Sequence, residues 1–278
     1  MNRVLKFSFS ILLASIFTWS ASLVPAAQTQ KSNSRARKKT ASFKIATFNI
    51  NYGNPNLKEV VESIKKSNAD FVALQETNKT SMKYLRRKLS KRYRFIRFVN
   101  RPAAGGFAIL SKSKLRKVKF HKQKFGWFGV YTCEVKLAGK KVQIANVHLQ
   151  ASVPRRGESY LKFLARWQKD NETRRKEIAW IYKKLDAKKP AIILGDFNSM
   201  PTSSVISYLE KQNFKDCYKA IVPQKKWRET WRWGKLKFRL DYIFASKHFK
   251  TKRAKVLQNK SASDHHLVAA ELTYNLEK

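Results

Sequence analysis

Acidic residues are scarce in this sequence. The 278 residues include 18 aspartates and glutamates against 60 lysines and arginines, for a formal net charge of +42 at pH 7. Such a surface predicts contact with polyanions through many phosphate groups, with nucleic acid as the first candidate and an anionic lipid surface as the second. A basic bias of the whole source proteome would give the same composition, and charge indicates nothing about fold.

Cysteine is also scarce, since Cys133 and Cys217 are the only two. The sequence has no Cys-x-x-Cys pair and no zinc-ligand spacing, which argues against a structural zinc site. An even count permits one disulfide in an exported protein, but two buried thiols are the favoured interpretation. No repeat of fixed period is present, and a hydrophobic content of 43% excludes a globally disordered chain.

The chain lacks a long uninterrupted hydrophobic run. Arg3 and Lys6 precede an uncharged stretch at 7–24, and small residues follow at 25–27, as in a cleaved signal peptide. An uncleaved membrane anchor is the alternative, but serines and threonines interrupt the stretch, which barely reaches the roughly 20 residues of a membrane span. We therefore expect a secreted or periplasmic protein with a signal peptide at 1–27, a basic flexible linker at 28–42 and one domain at 43–278.

The most informative stretch is 191–201. A short apolar run ends at Gly195, and Asp196 and Asn198 follow at a spacing that points both side chains the same way in an extended chain. The pattern predicts an acid and an amide at the carboxyl end of a buried strand, where α/β sheets usually place their chemistry. An ordinary Asp-x-Asn turn is the alternative.

Other predicted strands also end on polar residues. Apolar and alternating runs predict strands near 43–49, 70–76, 93–99, 107–110, 115–120, 127–137, 141–149, 239–244 and 266–272, and apolar spacing predicts helices near 57–64, 79–92, 178–185 and 205–209. Residues 150–172 are expected to form a loop or a short helix. The polar residues at or beside strand ends are Asn49, Glu76, His148, Asp196, Asn198, Asp241, Asp264 and His265.

Seven short segments that carry these residues resemble the motifs of one family. They lie at 47–49, 74–76, 108–111, 146–149, 195–198, 240–244 and 263–265. In order and approximate spacing they resemble the endonuclease/exonuclease/phosphatase superfamily, whose fold is similar to that of pancreatic deoxyribonuclease. The resemblance implies an α/β fold, a four-layer α/β/β/α sandwich of two packed mixed β-sheets with outer helices.

The resemblance also implies metal-assisted attack of water on a phosphate ester. Glu76 would hold the divalent ion, with Asn49 and Asp264 completing or orienting its ligand shell. Because these ligands are oxygens, Mg²⁺ or Mn²⁺ is expected rather than zinc.

Five further residues receive catalytic roles from the resemblance. His265 would act as general base or contact the phosphate, and Asp241 would fix its tautomer. Asp196 would orient the water or share its proton. Asn198 and His148 would donate hydrogen bonds to the phosphoryl oxygens, where charge develops in the transition state.

Two loops that mix basic and aromatic residues are expected to flank this site. Their predicted substrate contacts are Arg155, Arg156, Trp167, Arg228, Trp231 and Arg232. The alternative is that the tryptophans pack into the core. A histidine at position 148 resembles the deoxyribonuclease, sphingomyelinase and inositol-phosphatase branches more than the abasic-site repair branch.

The sequence thus predicts an exported, divalent-metal-dependent phosphodiesterase. An endonuclease that cleaves DNA or RNA with little sequence specificity is favoured. A sphingomyelinase-like or inositol-phosphate phosphoesterase is the alternative, and a non-catalytic polyanion-binding protein is a remote one. No obligate protein partner is evident, and we expect a monomer.

Overall fold

The structure is a computed structural model that describes residues 41–153 and 155–275. The predicted signal peptide and residues 28–40 of the predicted linker lie outside the described residues. Within the described part, 14 strands and 4 α-helices form the elements of the domain. In this part of the chain, no helix combines the length and the apolar character that a membrane crossing requires.

The first sheet has six strands in the order β13-β14-β1-β2-β4-β3. β1 and β2 are parallel, and the other neighbours are antiparallel. Its strands are β1 (Ser42–Asn49), β2 (Phe71–Gln75), β3 (Phe95–Val99), β4 (Phe107–Ser111), β13 (Phe249–Leu257) and β14 (Leu267–Tyr274).

The second sheet also has six strands, in the order β5-β6-β7-β8-β12-β9. Only β7 and β8 run parallel within it. Its strands are β5 (Leu115–His121), β6 (Val130–Leu137), β7 (Lys140–His148), β8 (Ala191–Asp196), β9 (Phe214–Asp216) and β12 (Asp241–Ser246). A separate two-stranded ribbon joins β10 (Trp231–Trp233) to β11 (Leu236–Phe238).

Helices cover the outer face of each sheet. α1 (Leu57–Ser67) and α2 (Lys79–Leu89) pack on the first sheet, and α3 (Tyr160–Tyr182) and α4 (Ser204–Lys211) pack on the second. α1 buries Val60, Val61 and Ile64, the stripe that its apolar spacing predicts. The predicted four-layer α/β/β/α sandwich of two mixed sheets is therefore confirmed.

The alternation of side chains along each strand explains where the polar strand ends point. In β8, Ile192 and Leu194 face the core between the sheets, whereas Ala191 and Ile193 face the helices. The same period of two continues to Asp196, which therefore faces the gap between the sheets at its open edge. β1 follows the same rule, because Phe43 and Ile45 face inward and Asn49 shares their parity.

The structure differs from the predicted secondary structure in two places. The described residues before Tyr160 form a loop, as expected, but α3 begins at Tyr160 and runs without a break for 23 residues, so 160–172 belong to a long helix. The strand β13 was not predicted, since its alternating lysines and arginine resemble a solvated segment. Cys133 and Cys217 are both buried free thiols, as favoured from the sequence.

Candidate active site

The site lies at the edge where the parallel pairs of both sheets end. In the second sheet, Asp196 is in register with His148 on β7 and with Asp241 on β12. The backbone just before Asp196 needs glycine, because Gly195 has φ +147° and a Cβ there would collide with the Val147 carbonyl oxygen. This close approach lets three strands deliver three titratable side chains to one point.

Asp196 is the centre of the cluster. Its Oδ2 accepts a hydrogen bond from Asn49 Nδ2 at 3.0 Å, and it lies 3.6 Å from His265 Nε2 and 3.7 Å from His148 Nε2. Its Oδ1 accepts from the backbone N–H of Asn198 at 2.8 Å. Burial raises the pKa of Asp196, and the nearby charge of His265 opposes that rise.

His265 lies between two carboxylates. Its Nδ1 is 2.9 Å from Asp241 Oδ2, so the Nδ1–H donates to this oxygen and Nε2 is directed towards Asp196. Burial disfavours the imidazolium form, but the two carboxylates together outweigh burial and raise the pKa of His265. The structure thus brings together the aspartate and the histidine that the sequence paired.

Glu76 closes the opposite side of the site, directly after β2. Its backbone is left-handed, with φ 59°, which turns the side chain back over the edge of the sheet. Oε1 accepts from Asn49 Nδ2 at 2.8 Å, and Oε2 accepts from the Tyr52 N–H at 2.9 Å. Burial raises the pKa of Glu76. The hydrogen bonds from Asn49 and Tyr52 and the charge of His265 oppose that rise, and the negative charge of Asp264 adds the smallest contribution to it.

Asp264 is held by residues from two other segments. Oδ1 accepts from Asn51 Nδ2 at 3.0 Å, and Oδ2 accepts from the indole N–H of Trp231 at 3.3 Å. The hydroxyl of Ser263 bonds the Asn49 carbonyl oxygen, which ties this turn to the end of β1. Glu76 and Asp264 are therefore both anchored on the segment that follows β1.

This acidic pair fits a divalent cation. Two neighbouring carboxylates repel one another, and a bound cation would offset that repulsion and favour the ionised forms of both. Asn49 presents its amide nitrogen to Glu76 and Asp196, and its Oδ1 accepts from the Asn51 N–H at 3.0 Å, so here it orients the acids. Among the described residues, Asp196, Asp241 and His265 also lie close enough together to hold an ion.

His148 has a different environment from His265. Its ring is buried and stacks on Phe128, with centroids 3.8 Å apart and planes 6° from parallel. Within the described part of the chain, Nε2 has no hydrogen-bond partner, and it lies 3.8 Å from Glu76 Oε1. Burial and the charge of His265 lower the pKa of His148 to about 3, so the ring is neutral and its Nε2 is available to a ligand.

Asn198 is fixed against the backbone of the neighbouring loop. Its Nδ2 donates to the Leu149 carbonyl oxygen at 2.9 Å, and its backbone has φ 47°. The residue is buried, and it lies outside β8 with a left-handed backbone, so the extended geometry expected from the spacing of Asp196 and Asn198 does not apply to it.

The six predicted substrate contacts divide into two groups. Arg155, Arg156 and Arg228 are exposed, and Arg232 is half-buried beside Glu229. Trp167 and Trp231 are instead buried with Phe163 and Leu240 in a small cluster behind the site. The tryptophans thus adopt the alternative placement, in which their rings pack into the protein.

Several residues at the site were not singled out from the sequence. Asn51 holds Asp264, and Phe128 fixes the ring of His148. Beneath the site, Gln75 Nε2 donates to Asn146 Oδ1 at 2.7 Å, and Asn146 Nδ2 donates to the Leu74 and Ala108 carbonyl oxygens of the first sheet. Gln75 and Asn146 occupy alternate strand positions that, in β2 and β7, also carry residues facing the core between the sheets. This alternation was the one sign in the sequence of a polar layer beneath the site.

Fold and site together define a two-sheet sandwich hydrolase whose edge gathers acids, amides and two histidines. The sequence model of the Endonuclease/Exonuclease/phosphatase family matches residues 46–265. The chain belongs to this family, whose members are hydrolases acting on phosphoester bonds. The predicted family resemblance is confirmed, while no curated protein matches the chain.

Solved structures share the fold at low sequence identity. An endonuclease/exonuclease/phosphatase from Beutenbergia cavernae is 19% identical with a TM-score of 0.65, covering 84% of this chain and 72% of its own. TDP2 from C. elegans is 19% identical with a TM-score of 0.64, covering 85% and 77%. An AP endonuclease from Archaeoglobus fulgidus is 19% identical with a TM-score of 0.64, covering 84% and 100%.

Proposed function

We propose that this protein is an exported, divalent-metal-dependent phosphodiesterase that cleaves nucleic-acid backbones with little sequence specificity. The observation that carries the proposal is the placement of Asp196, whose Oδ2 lies within 4 Å of Asn49, His148 and His265. An acid, an amide donor and two histidines around one point are what attack of water on a phosphate requires.

Glu76 would hold the metal ion, with Asp264 beside it and Asn49 orienting the carboxylates. These oxygen donors favour Mg²⁺ or Mn²⁺. When bound, the ion offsets negative charge on the phosphate and on the leaving oxygen.

The protein's own side chains would orient the water, transfer its proton and bind the phosphate. Asp196 orients the attacking water and shares its proton with His265 Nε2, 3.6 Å away. Asp241 holds His265 in the tautomer that leaves Nε2 facing the site. The neutral ring of His148 donates to a phosphoryl oxygen through the tautomer protonated at Nε2, and Asn198 supports this side of the site.

Charge supports nucleic acid as the substrate class. The chain carries 60 basic residues against 18 acidic ones, and the loop that follows β7 exposes Arg155 and Arg156. Cations on this loop could contact phosphates on either side of the scissile bond. Such contacts position a strand without reading its sequence. One structural neighbour, an AP endonuclease, carries a name that is compatible with this class.

One observation favours a second candidate, a phosphodiesterase acting on anionic lipids. Val153 and Leu161 are large aliphatic residues beside the site, exposed by 61% and 77%. Exposed apolar residues close to cations are also typical of proteins that dock on membranes.

Export rests on the sequence of residues 1–27. Amino-terminal sequencing of the mature protein from the extracytoplasmic fraction tests it. A terminus near residue 28 supports cleavage, and an intact chain confined to the cytoplasm contradicts export.

Side-by-side turnover of plasmid DNA, RNA, sphingomyelin, an inositol polyphosphate and bis(p-nitrophenyl) phosphate tests the proposed function. We expect cleavage of nucleic acid with Mg²⁺ or Mn²⁺ and loss of activity in excess chelator. Glu76→Gln should nearly abolish turnover, because it removes the charged metal ligand. Glu62→Gln is the matched control, since Glu62 is an exposed acid of α1 paired only with Lys65 among the described residues. Full activity in chelator, or in Glu76→Gln, would refute the metal mechanism.

A further inference from the structure

Large hydrophobic side chains are exposed mainly at the catalytic edge. The described part of the chain has seven, and all except Ile221 lie on segments next to the site. Two are aliphatic, and four are aromatic: Tyr52, Trp127, Tyr160 and Trp233. We call these four residues the rim aromatics. Their exposed fractions lie between 42% and 58%, so each ring presents a large surface to an incoming molecule.

Trp127 stands next to the phosphate-binding histidine of the proposed site. Its ring makes an edge contact with Phe128 at 6.0 Å, and Phe128 stacks on His148. One aromatic residue thus packs on the site residue while its neighbour in sequence stays open to solvent.

Trp233 repeats this arrangement on the other side. It ends the strand β10, whose first residue, Trp231, donates to Asp264 and forms a β-bridge with His265. Trp231 is 9% exposed and Trp233 is 54% exposed. The inner indole therefore supports the site, and the outer indole is free to meet a ligand.

Tyr52 and Tyr160 complete the rim. The backbone N–H of Tyr52 donates to Glu76 Oε2, so the Tyr52 backbone lies beside a proposed metal ligand, and its side chain is exposed. Tyr160 is the first residue of α3, and Phe163 one turn later is buried with Trp231. All four rings are thus within a few residues of a side chain that touches or supports the site.

Exposed cations lie near three of these four rings along the chain. Lys124 precedes Trp127, Lys235 follows Trp233, and Arg155 and Arg156 precede Tyr160, all with exposed side chains. A surface that alternates rings and cations matches a strand of unpaired bases joined by phosphates. A duplex conceals the faces of its bases in the stack, so it cannot use these rings.

We propose that the rim aromatics stack on unpaired bases, so that single-stranded nucleic acid or an unpaired stretch is the preferred ligand of the catalytic edge. This inference rests on the proposed function and refines its substrate class. The loops that carry the rim aromatics and their neighbouring cations would hold the bases that flank the scissile phosphate.

Binding of labelled oligonucleotides in chelator tests the proposal without turnover. An oligothymidylate of about 15 nucleotides and a hairpin duplex of equal charge are titrated with the full chain. The variants are Trp127→Ala with Trp233→Ala, and Ile221→Ala as the matched control for an exposed hydrophobic residue away from the site. Thermal unfolding checks that each variant is folded.

We expect the wild type to prefer the single strand and the double variant to bind it at least about tenfold more weakly, with duplex affinity nearly unchanged. Ile221→Ala should keep the preference. Equal loss on both ligands, or no loss, would overturn the stacking proposal. A third result would also overturn it: the wild type shows no preference for the single strand, and the double variant loses binding to anionic phospholipid vesicles. That result would identify the rim as a membrane-binding surface.

The outcome is separable from the proposed function. If the wild type with Mg²⁺ or Mn²⁺ hydrolyses bis(p-nitrophenyl) phosphate but no nucleic acid, the nuclease function fails, and rim-dependent single-strand binding would still support the stacking surface. If it cleaves nucleic acid but shows no rim-dependent preference, only the stacking proposal fails.

Discussion

Two histidines at the catalytic edge differ through their immediate neighbours. His265 lies between the carboxylates of Asp241 and Asp196, which raise its pKa despite burial. His148 stacks on Phe128, and burial lowers its pKa to about 3. The pKa of the same residue type is thus shifted upward in one position and downward in the other, and the two rings suit different tasks.

Replacing either histidine by alanine should reduce turnover of a small phosphodiester by about 10²–10⁴-fold, the usual contribution of a proton-transferring or charge-stabilising group. Steady-state kinetics with bis(p-nitrophenyl) phosphate and saturating metal measures the loss. Unfolding curves show that the loss does not come from instability.

His121→Ala is the matched control for these two variants. His121 is half-buried on β5, bonds Thr132 and belongs to none of the family motifs, so its replacement should leave turnover within about twofold. His266 lies outside the proposed roles too, but its ring is buried and its removal would leave a cavity. Loss of activity in His121→Ala with retention in His265→Ala would contradict the assigned roles.

At the scale of elements, a buried layer of amides joins the two sheets beneath the site. Asn146 on β7 donates to the carbonyl oxygens of Leu74 and Ala108, at 3.0 Å and 3.1 Å, and accepts from Gln75. These bonds cross from one sheet to the other in a region without exposure. They tie β7 to β2 and β4 of the other sheet, close in sequence to His148 and Glu76.

Asn146→Ala should destabilise the protein by about 3 kcal/mol, because it removes three buried hydrogen bonds: two to the carbonyl oxygens of Leu74 and Ala108, and one from Gln75, which keeps its bond to Thr47. Urea unfolding followed by circular dichroism measures the change. Gln143→Ala is the control on the same strand, since Gln143 bonds Asp186 at the surface, and its loss should cost about 0.5–1 kcal/mol. Equal costs for both variants would show that the amide layer is not special.

Hydrophobic periodicity within single segments predicted several elements of the fold. The central strand, the acids at strand ends and the stripe of α1 follow from periodicity, and the structure has them. Contacts between distant segments were not predictable in this way: Asn51 meets Asp264 across 213 residues of sequence. Edge strand β13 escaped prediction because its outward lysines and arginine, which protect a sheet edge, resemble a loop.

Burial of the tryptophans was also undecidable from sequence. Trp167 on α3 and Trp231 on β10 belong to sequence segments that resemble loops rich in basic and aromatic residues. The helix α3 nevertheless continues through the first segment, where Trp167 packs against Phe238. An amphipathic pattern identifies a helix only where apolar residues repeat regularly, and here arginines and lysines interrupt the repeat.

At the scale of the molecule, the net charge of +42 determines how the protein meets a polyanion. Charge spread evenly would give binding without orientation, whereas cations beside the site would place a phosphate at Asp196. Arg155 and Arg156 are exposed on the loop that follows β7, Arg228 donates to Gln258 in a groove that residues of α1 also line, and Arg232 pairs with Glu229. An equal number of cations lies at the far end of the second sheet: Lys114, Arg116, Lys136 and Lys141.

Replacing the four predicted substrate-contact arginines, Arg155, Arg156, Arg228 and Arg232, by glutamine should flatten the salt dependence of DNA binding. Removal of one phosphate-binding cation lowers the slope of log affinity against log salt by about 0.9 on a duplex, because fewer counterions are released on binding. The control variant replaces the four distant cations by glutamine, which removes the same charge from the opposite end of β6 and β7. Its slope should differ from the wild-type slope by less than about 0.9 in total. Anisotropy titrations at several salt concentrations give both slopes. Equal flattening by the two variants would mean that bulk charge holds the nucleic acid, and an unchanged slope in the arginine variant would remove these residues from the binding surface.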